Sequence, residues 1–137
     1  MIRNKIIFID TGAWFAIADK SDQYHSKATD QLEKCIQKDS TFLTSNLVIH
    51  ETVMLLARKI SKQTAIKFLN TIYSDDKVNV VLNDENLEQK AYAIFKKYTD
   101  QDFSITDCVS FAIMKENRIK EAFTFDKHFS IMGFKMI

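Results

Sequence analysis

The sequence contains no proline and only two glycines, Gly12 and Gly133. No Gly/Ser- or Pro-rich linker, internal repeat or low-complexity tract divides it. The 137 residues therefore read as one element-dense domain, 1–137, long enough to bury a sizeable core. Cysteine is scarce too. Cys35 and Cys108 form no disulfide framework and sit in no metal-type Cys/His cluster, which fits a reducing, cytoplasmic setting. No apolar run approaches the ~18 residues of a membrane span. The N-terminal apolar run is stopped by Asp10, too soon for the apolar part of a signal peptide. Charge of one sign is also missing: the net charge is +1, so composition does not announce a nucleic-acid binder. Averages hide local structure, however. Setting four carboxylates aside in one metal site turns +1 into +5 on the remainder, which could still face a polyanion.

What the sequence does contain is organised around Lys5-Ile6-Ile7-Phe8-Ile9-Asp10-Thr11. Four consecutive large apolar residues without alternation read as a strand buried on both faces. Gly12 to Ala18 reads as helix, so Asp10 stands where a buried strand ends and a helix begins. In open α/β sheets ligands bind at that edge. A buried carboxylate there needs a partner, although Asp10 and Thr11 would also serve as helix caps.

Further along, helical patterns cover about Tyr24 to Gln37, with Ala28, Leu32, Cys35 and Ile36 on one side. A third helix opens at Ser45 or Asn46 and runs to about Ile60, apolar over more than a narrow stripe and therefore expected to be well buried. Ser61 begins another helix, and Asn83 or Asp84 caps one ending near Tyr98. The last runs from about Ile105 to Asn117. Strand candidates are Thr41 to Thr44, Lys77 to Leu82, Glu121 to Phe125 and, at the edge, Phe134 to Ile137. Alternating strands and helices imply a parallel sheet covered on both faces, with the strand ends gathered on one edge.

Asp10 and Asp126 would both lie on that edge. Glu51 lies within the apolar helix of Ile49-His50-Glu51-Thr52-Val53-Met54, and its nearest bland partner, Arg58, is two turns away. Asp107 ends Ser104-Ile105-Thr106-Asp107, which has capping-box spacing and so offers a purely structural role as well. Four acids, each beside an apolar element, are harder to explain separately than together. Gathered carboxylates repel and raise one another's pKa unless a cation neutralises them. All-oxygen ligands suit Mg²⁺ or Mn²⁺, ions that support phosphodiester hydrolysis.

At this point the chain resembles a known family. Phe8-Ile9-Asp10-Thr11, Ser45-Asn46-Leu47-Val48-Ile49-His50-Glu51, Ser104-Ile105-Thr106-Asp107 and Thr124-Phe125-Asp126-Lys127-His128-Phe129 follow the order and spacing of a PIN domain. This is the nuclease domain of the toxin component of VapBC-type toxin–antitoxin pairs. The resemblance spans nearly the whole chain. It implies a PIN-like three-layer α/β/α sandwich with a central, mainly parallel sheet of four to five strands. It also implies a Mg²⁺- or Mn²⁺-dependent endoribonuclease, with Asp10, Glu51, Asp107 and Asp126 as catalytic, metal-binding tetrad. Thr11, Thr106 and Thr124 match positions where hydroxyls support the acids. Asp102 is open between an auxiliary role and a solvated loop acid. Lys127 and His128 are open between RNA contact and ordinary turn or packing roles. Trp14 and Phe15 are expected in the core or an interface.

The expected partners are RNA with accessible single-stranded or loop bases, a cognate antitoxin, and a second copy of the chain. Hydrolysis by water would leave 5′-phosphate and 3′-hydroxyl ends. Two other classes compete. An Asp-nucleophile phosphatase wants a second Asp where Gly12 stands, and a receiver wants an Asp after Phe42, which Thr44 and Ser45 do not supply. A catalytically weak PIN-fold RNA-binding or interaction module is the remaining alternative, and the intact acid set argues against it.

Overall fold

The computed structural model describes residues 4–137. The elements run β1 (Ile6–Ile9), α1 (Thr11–Ala18), α2 (His25–Gln37), β2 (Thr41–Ser45), α3 (Asn46–Lys59), α4 (Lys62–Ser74), β3 (Val78–Val81), α5 (Glu85–Lys97), α6 (Ile105–Glu116), β4 (Glu121–Phe123), α7 (His128–Ile131) and β5 (Lys135–Met136). The five strands form one sheet in the order β3-β2-β1-β4-β5. Every pairing is parallel.

This order decides where a site can form. From β1 the chain moves outward through β2 to β3, then crosses back to place β4 on the other side of β1. The connections thus diverge at the β1–β4 boundary, and the crevice beyond those strand ends is where doubly wound sheets bind ligands. Asp10 extends β1 across that boundary, donating its backbone N–H to the Phe123 carbonyl at 3.1 Å.

Both faces of β1 are covered. Phe8 stacks with Phe129, which meets Phe111 of α6 edge-on. By the alternation of a strand, Ile7 and Ile9 face the other way. On that side Trp14 packs edge-on against Phe68 of α4 and donates from Nε1 to Thr44 Oγ1 at 3.3 Å. Thr44 Oγ1 in turn donates to the Ile9 carbonyl at 3.0 Å. Trp14 and Phe15 are therefore core residues.

The caps follow local chemistry. Ser45, Ser61, Asp84 and Ser104 each accept a backbone N–H from the first turn of the helix they precede. Each such cap contributes roughly 1 kcal/mol.

Several expectations are corrected. α3 is not buried all round: Val48, Ile49, Thr52 and Leu56 face inward, while Met54 and Glu51 are exposed. Its apolar excess is spread round the helix and exceeds what the single packed face takes up. Ile36 does not join the buried side of α2. It lies 62% exposed on a groove also lined by Trp14, Phe42 and Phe68. Ile6 is half-exposed, so β1 is buried on both faces only from Ile7 onward. β4 stops at Phe123, two residues short, because the Thr124 hydroxyl and the Asp126 carboxylate draw the following backbone N–H groups into a turn. That turn leads into the four-residue helix α7, too short for a periodic pattern to reveal. Gly133, with φ 90°, ends α7 in a conformation that only glycine adopts freely.

Candidate active site

Asp10 occupies the N-cap position of α1, yet its side chain caps nothing. It is 7% exposed, and its Oδ2 accepts from Thr124 Oγ1 at 3.1 Å. The same hydroxyl accepts the Asp126 backbone N–H at 3.0 Å. Thr124 is itself buried, so one hydroxyl on the strand end fixes two acids at once. Asp126 uses Oδ1 to accept the His128 backbone N–H at 2.9 Å, an Asx turn that starts α7.

Asp107 closes a capping box on α6: its Oδ2 accepts the Ser104 N–H at 3.1 Å and Ser104 Oγ accepts the Asp107 N–H at 3.0 Å. That oxygen also lies 3.2 Å from His128 Nδ1. Glu51 projects from α3 and accepts from Thr11 Oγ1 at 2.9 Å, 40 positions away in sequence, and not from Arg58.

Asp10, Glu51, Asp107 and Asp126 together line one open cavity of about 500 Å³, with Thr11, Gly12, Phe125 and Lys127 completing its wall. A common pattern runs through the acids. One oxygen of each is anchored by a donor from the protein, and no side chain among the described residues donates to the other. Gly12 leaves open space where a Cβ would stand, so the mouth of the cavity is unobstructed.

The electrostatics show what this arrangement costs without a cation. Burial pushes the Asp10 carboxyl from 3.8 up to about 7. The charges of Asp107 and Asp126 add to this, against the lowering effects of the Thr11 N–H and the Thr124 hydroxyl. Asp107 is also raised, first by burial and then by Asp126, while Ser104 and His128 pull it down. An all-oxygen set of carboxylates facing one open cavity suits a hard divalent cation, which binds a few of them and keeps several waters. Asp107, Asp126 and His128 bring ligand atoms within 4.8 Å of one another.

The remaining sequence candidates separate. Thr124 and Thr11 are bonded to the acids, as above. Thr106 lies outside the cavity wall, and its carbonyl accepts from Ser110 Oγ at 2.9 Å. Asp102 is exposed, off the cavity and without a side-chain hydrogen bond among the described residues. Lys127 is exposed at the cavity wall. The His128 ring turns away from solvent toward Asp107 and Asp126. Phe125, which sequence reading did not single out, lines the cavity and stacks face to face with Tyr24 at 4.5 Å. Only an apolar residue beside Asp126 pointed to it.

Comparison with known proteins gives this geometry a context. The chain is 30% identical over 133 residues to the 23S rRNA-specific endonuclease VapC20 of Mycobacterium tuberculosis, covering 94% of this chain and 95% of that protein. A VapC ribonuclease of Archaeoglobus fulgidus is 29% identical over 125 residues, 90% of this chain and 78% of the relative. The crystal structure of the Mycobacterium tuberculosis VapC20, described as a Sarcin-Ricin loop cleaving toxin, superposes with a TM-score of 0.88 at 30% identity. It covers 96% of this chain and 98% of the other. The sequence pattern of the PIN domain matches residues 7–135. With that match across nearly its whole length and a fully parallel five-stranded sheet, the chain belongs to the PIN-domain family.

Proposed function

We propose that this chain is a divalent-metal-dependent endoribonuclease of the VapC kind, the toxin of a type II toxin–antitoxin pair, acting as a single domain over residues 1–137. The observation that carries the reading is the convergence of Asp10, Glu51, Asp107 and Asp126 on one open cavity, each with an oxygen left for a ligand. Asp10, Asp107 and Asp126 would hold Mg²⁺ or Mn²⁺. Such an ion supplies Lewis acidity and charge neutralisation to phosphodiester hydrolysis.

The chain's own residues do the rest. Glu51 is the exposed member of the four and is held by Thr11, which supports a role in orienting and deprotonating the attacking water at the solvent side. Lys127 stands at the wall where a phosphate would pass. Attack by water and not by the ribose 2′-hydroxyl leaves 5′-phosphate and 3′-hydroxyl ends.

The substrate class follows from access. Bases in a loop can be splayed toward an open cavity, whereas paired bases cannot. The named specificity of the mycobacterial relative makes a ribosomal stem–loop the first substrate to try. A cognate antitoxin that covers the acidic cavity, a second copy of the chain and a cytoplasmic setting complete the reading.

The experiment offers purified protein a hairpin RNA with an unpaired loop and a fully paired duplex of matching stem sequence, each with Mn²⁺ or with chelator. Cuts confined to the loop and dependent on Mn²⁺ support the reading. Equal cutting of both substrates, or none of either, contradicts it.

A further inference from the structure

We infer that His128 is a positioning residue, a clamp whose Nδ1–H spans Asp107 and Asp126 and turns their remaining oxygens toward the cavity; this rests on the metal-site reading above. The two acids come from separate elements, one in the first turn of α6 and the other in the turn between β4 and α7. Among the described residues no backbone hydrogen bond joins these two segments directly. Like charges side by side drift apart unless a donor stands between them. His128 is that donor, with Nδ1 at 3.2 Å from Asp107 Oδ2 and 3.4 Å from Asp126 Oδ1. An ionised carboxylate only accepts, so a nitrogen facing two of them carries the hydrogen. That assigns the Nδ1–H tautomer whenever the ring is neutral.

The ring is well placed to hold a fixed geometry. Its backbone N–H is tied to Asp126 Oδ1 at 2.9 Å. Its edge meets Phe103 at 5.1 Å and 76°, and Phe103 is braced edge-on by Phe111. The side chain is 27% exposed and does not line the cavity, so it stands behind the acids and not among the groups that face a ligand. Outer-shell partners of this sort typically change metal affinity about 10- to 100-fold.

The test compares His128→Ala, His128→Asn and His128→Gln. The Asn amide nitrogen falls near the place of Nδ1, and the Gln amide nitrogen near that of Nε2. Mn²⁺ affinity is measured by titration calorimetry, with melting curves on the same metal-free samples to establish folding. The clamp predicts that His128→Ala and His128→Gln bind Mn²⁺ roughly 10- to 100-fold more weakly, and that His128→Asn recovers most of the loss. Unchanged affinity in folded His128→Ala overturns the inference and leaves the acid site standing.

A wild-type preference for Zn²⁺ over Mn²⁺ that Ala and Asn variants lose equally overturns it in favour of direct nitrogen ligation. Absence of Mn²⁺ binding by the wild type removes the metal reading itself. Independently of any metal, ¹⁵N shifts of the His128 imidazole must show hydrogen on Nδ1, and a bare Nδ1 contradicts the clamp.

Discussion

Thr124 Oγ1 donates to Asp10 Oδ2 at 3.1 Å across 114 positions of sequence. The bond joins the ends of adjacent strands β1 and β4 at the point where the chain's connections diverge. Because the hydroxyl also accepts the Asp126 backbone N–H, it ties the Asp10 carboxylate to the backbone of a second acid that no local sequence rule relates to it.

The first prediction concerns that hydroxyl. Thr124→Val leaves a buried carboxylate oxygen and a backbone N–H without their partner, a loss of about 1–3 kcal/mol in stability. RNA cleavage is expected to fall at least about tenfold, the size of a lost charge-assisted bond. Thr124→Ser keeps both bonds and should stay close to wild type. Melting curves and cleavage rates of the two variants check this, and equal behaviour of Val and Ser contradicts it.

A second prediction follows from the Asp10 carboxyl, which sits at about 7 in the folded chain against 3.8 as the ordinary value. Between those values the folded state keeps a proton that the unfolded state has released. Stability therefore falls as pH rises through that window, by up to about 1.4 kcal/mol per pH unit. Asp10→Asn cannot titrate and is free of this penalty. In chelator, its melting temperature should gain on the wild type from pH 4 to about 7 and hold that lead above. A gap that does not change with pH contradicts the account. With Mn²⁺ present the order should reverse, because a ligand stabilises only the protein that binds it.

Third, Asp107 carries two roles that substitution can divide. Its capping box with Ser104 needs an oxygen acceptor, which Asn supplies. Asp107→Asn is thus expected to lose about 1 kcal/mol or less in stability. Loss of its charge should slow cleavage at least about a hundredfold. Ser104→Ala, which breaks the cap but keeps the charge, should show the opposite balance. Paired melting and cleavage measurements decide, and near-normal cleavage by Asp107→Asn would remove it from the site.

Much of this was legible in the sequence because it is local. Four large apolar residues running into Asp10 mark a strand and its end, and the last three of them, Ile7 to Ile9, are buried. Ser104 and Asp107 announce their capping box by spacing alone, and the structure contains it. Contacts across the fold were less accessible. Glu51 pairs with Thr11 from another helix, a choice that no i,i+4 rule contains. The direction of the His128 ring depends on Phe103 and Asp107, both remote in sequence. Asp102 is near Asp107 in the chain, yet it points into solvent and shares none of its partners. Ile36 and Met54 look like core residues by type, and only the packing of neighbouring helices shows that they are not.

The central claim, hydrolysis of RNA at a four-acid metal site, is tested most directly by the ends of the cleavage products. Purified wild-type protein and Asp10→Asn are incubated with a labelled hairpin RNA in Mn²⁺ and in excess chelator, and the new termini are identified. The account predicts 5′-phosphate and 3′-hydroxyl ends from the wild type with Mn²⁺ only, and no cleavage above background from Asp10→Asn. Products ending in 2′,3′-cyclic phosphate, or undiminished cleavage in chelator, would contradict it.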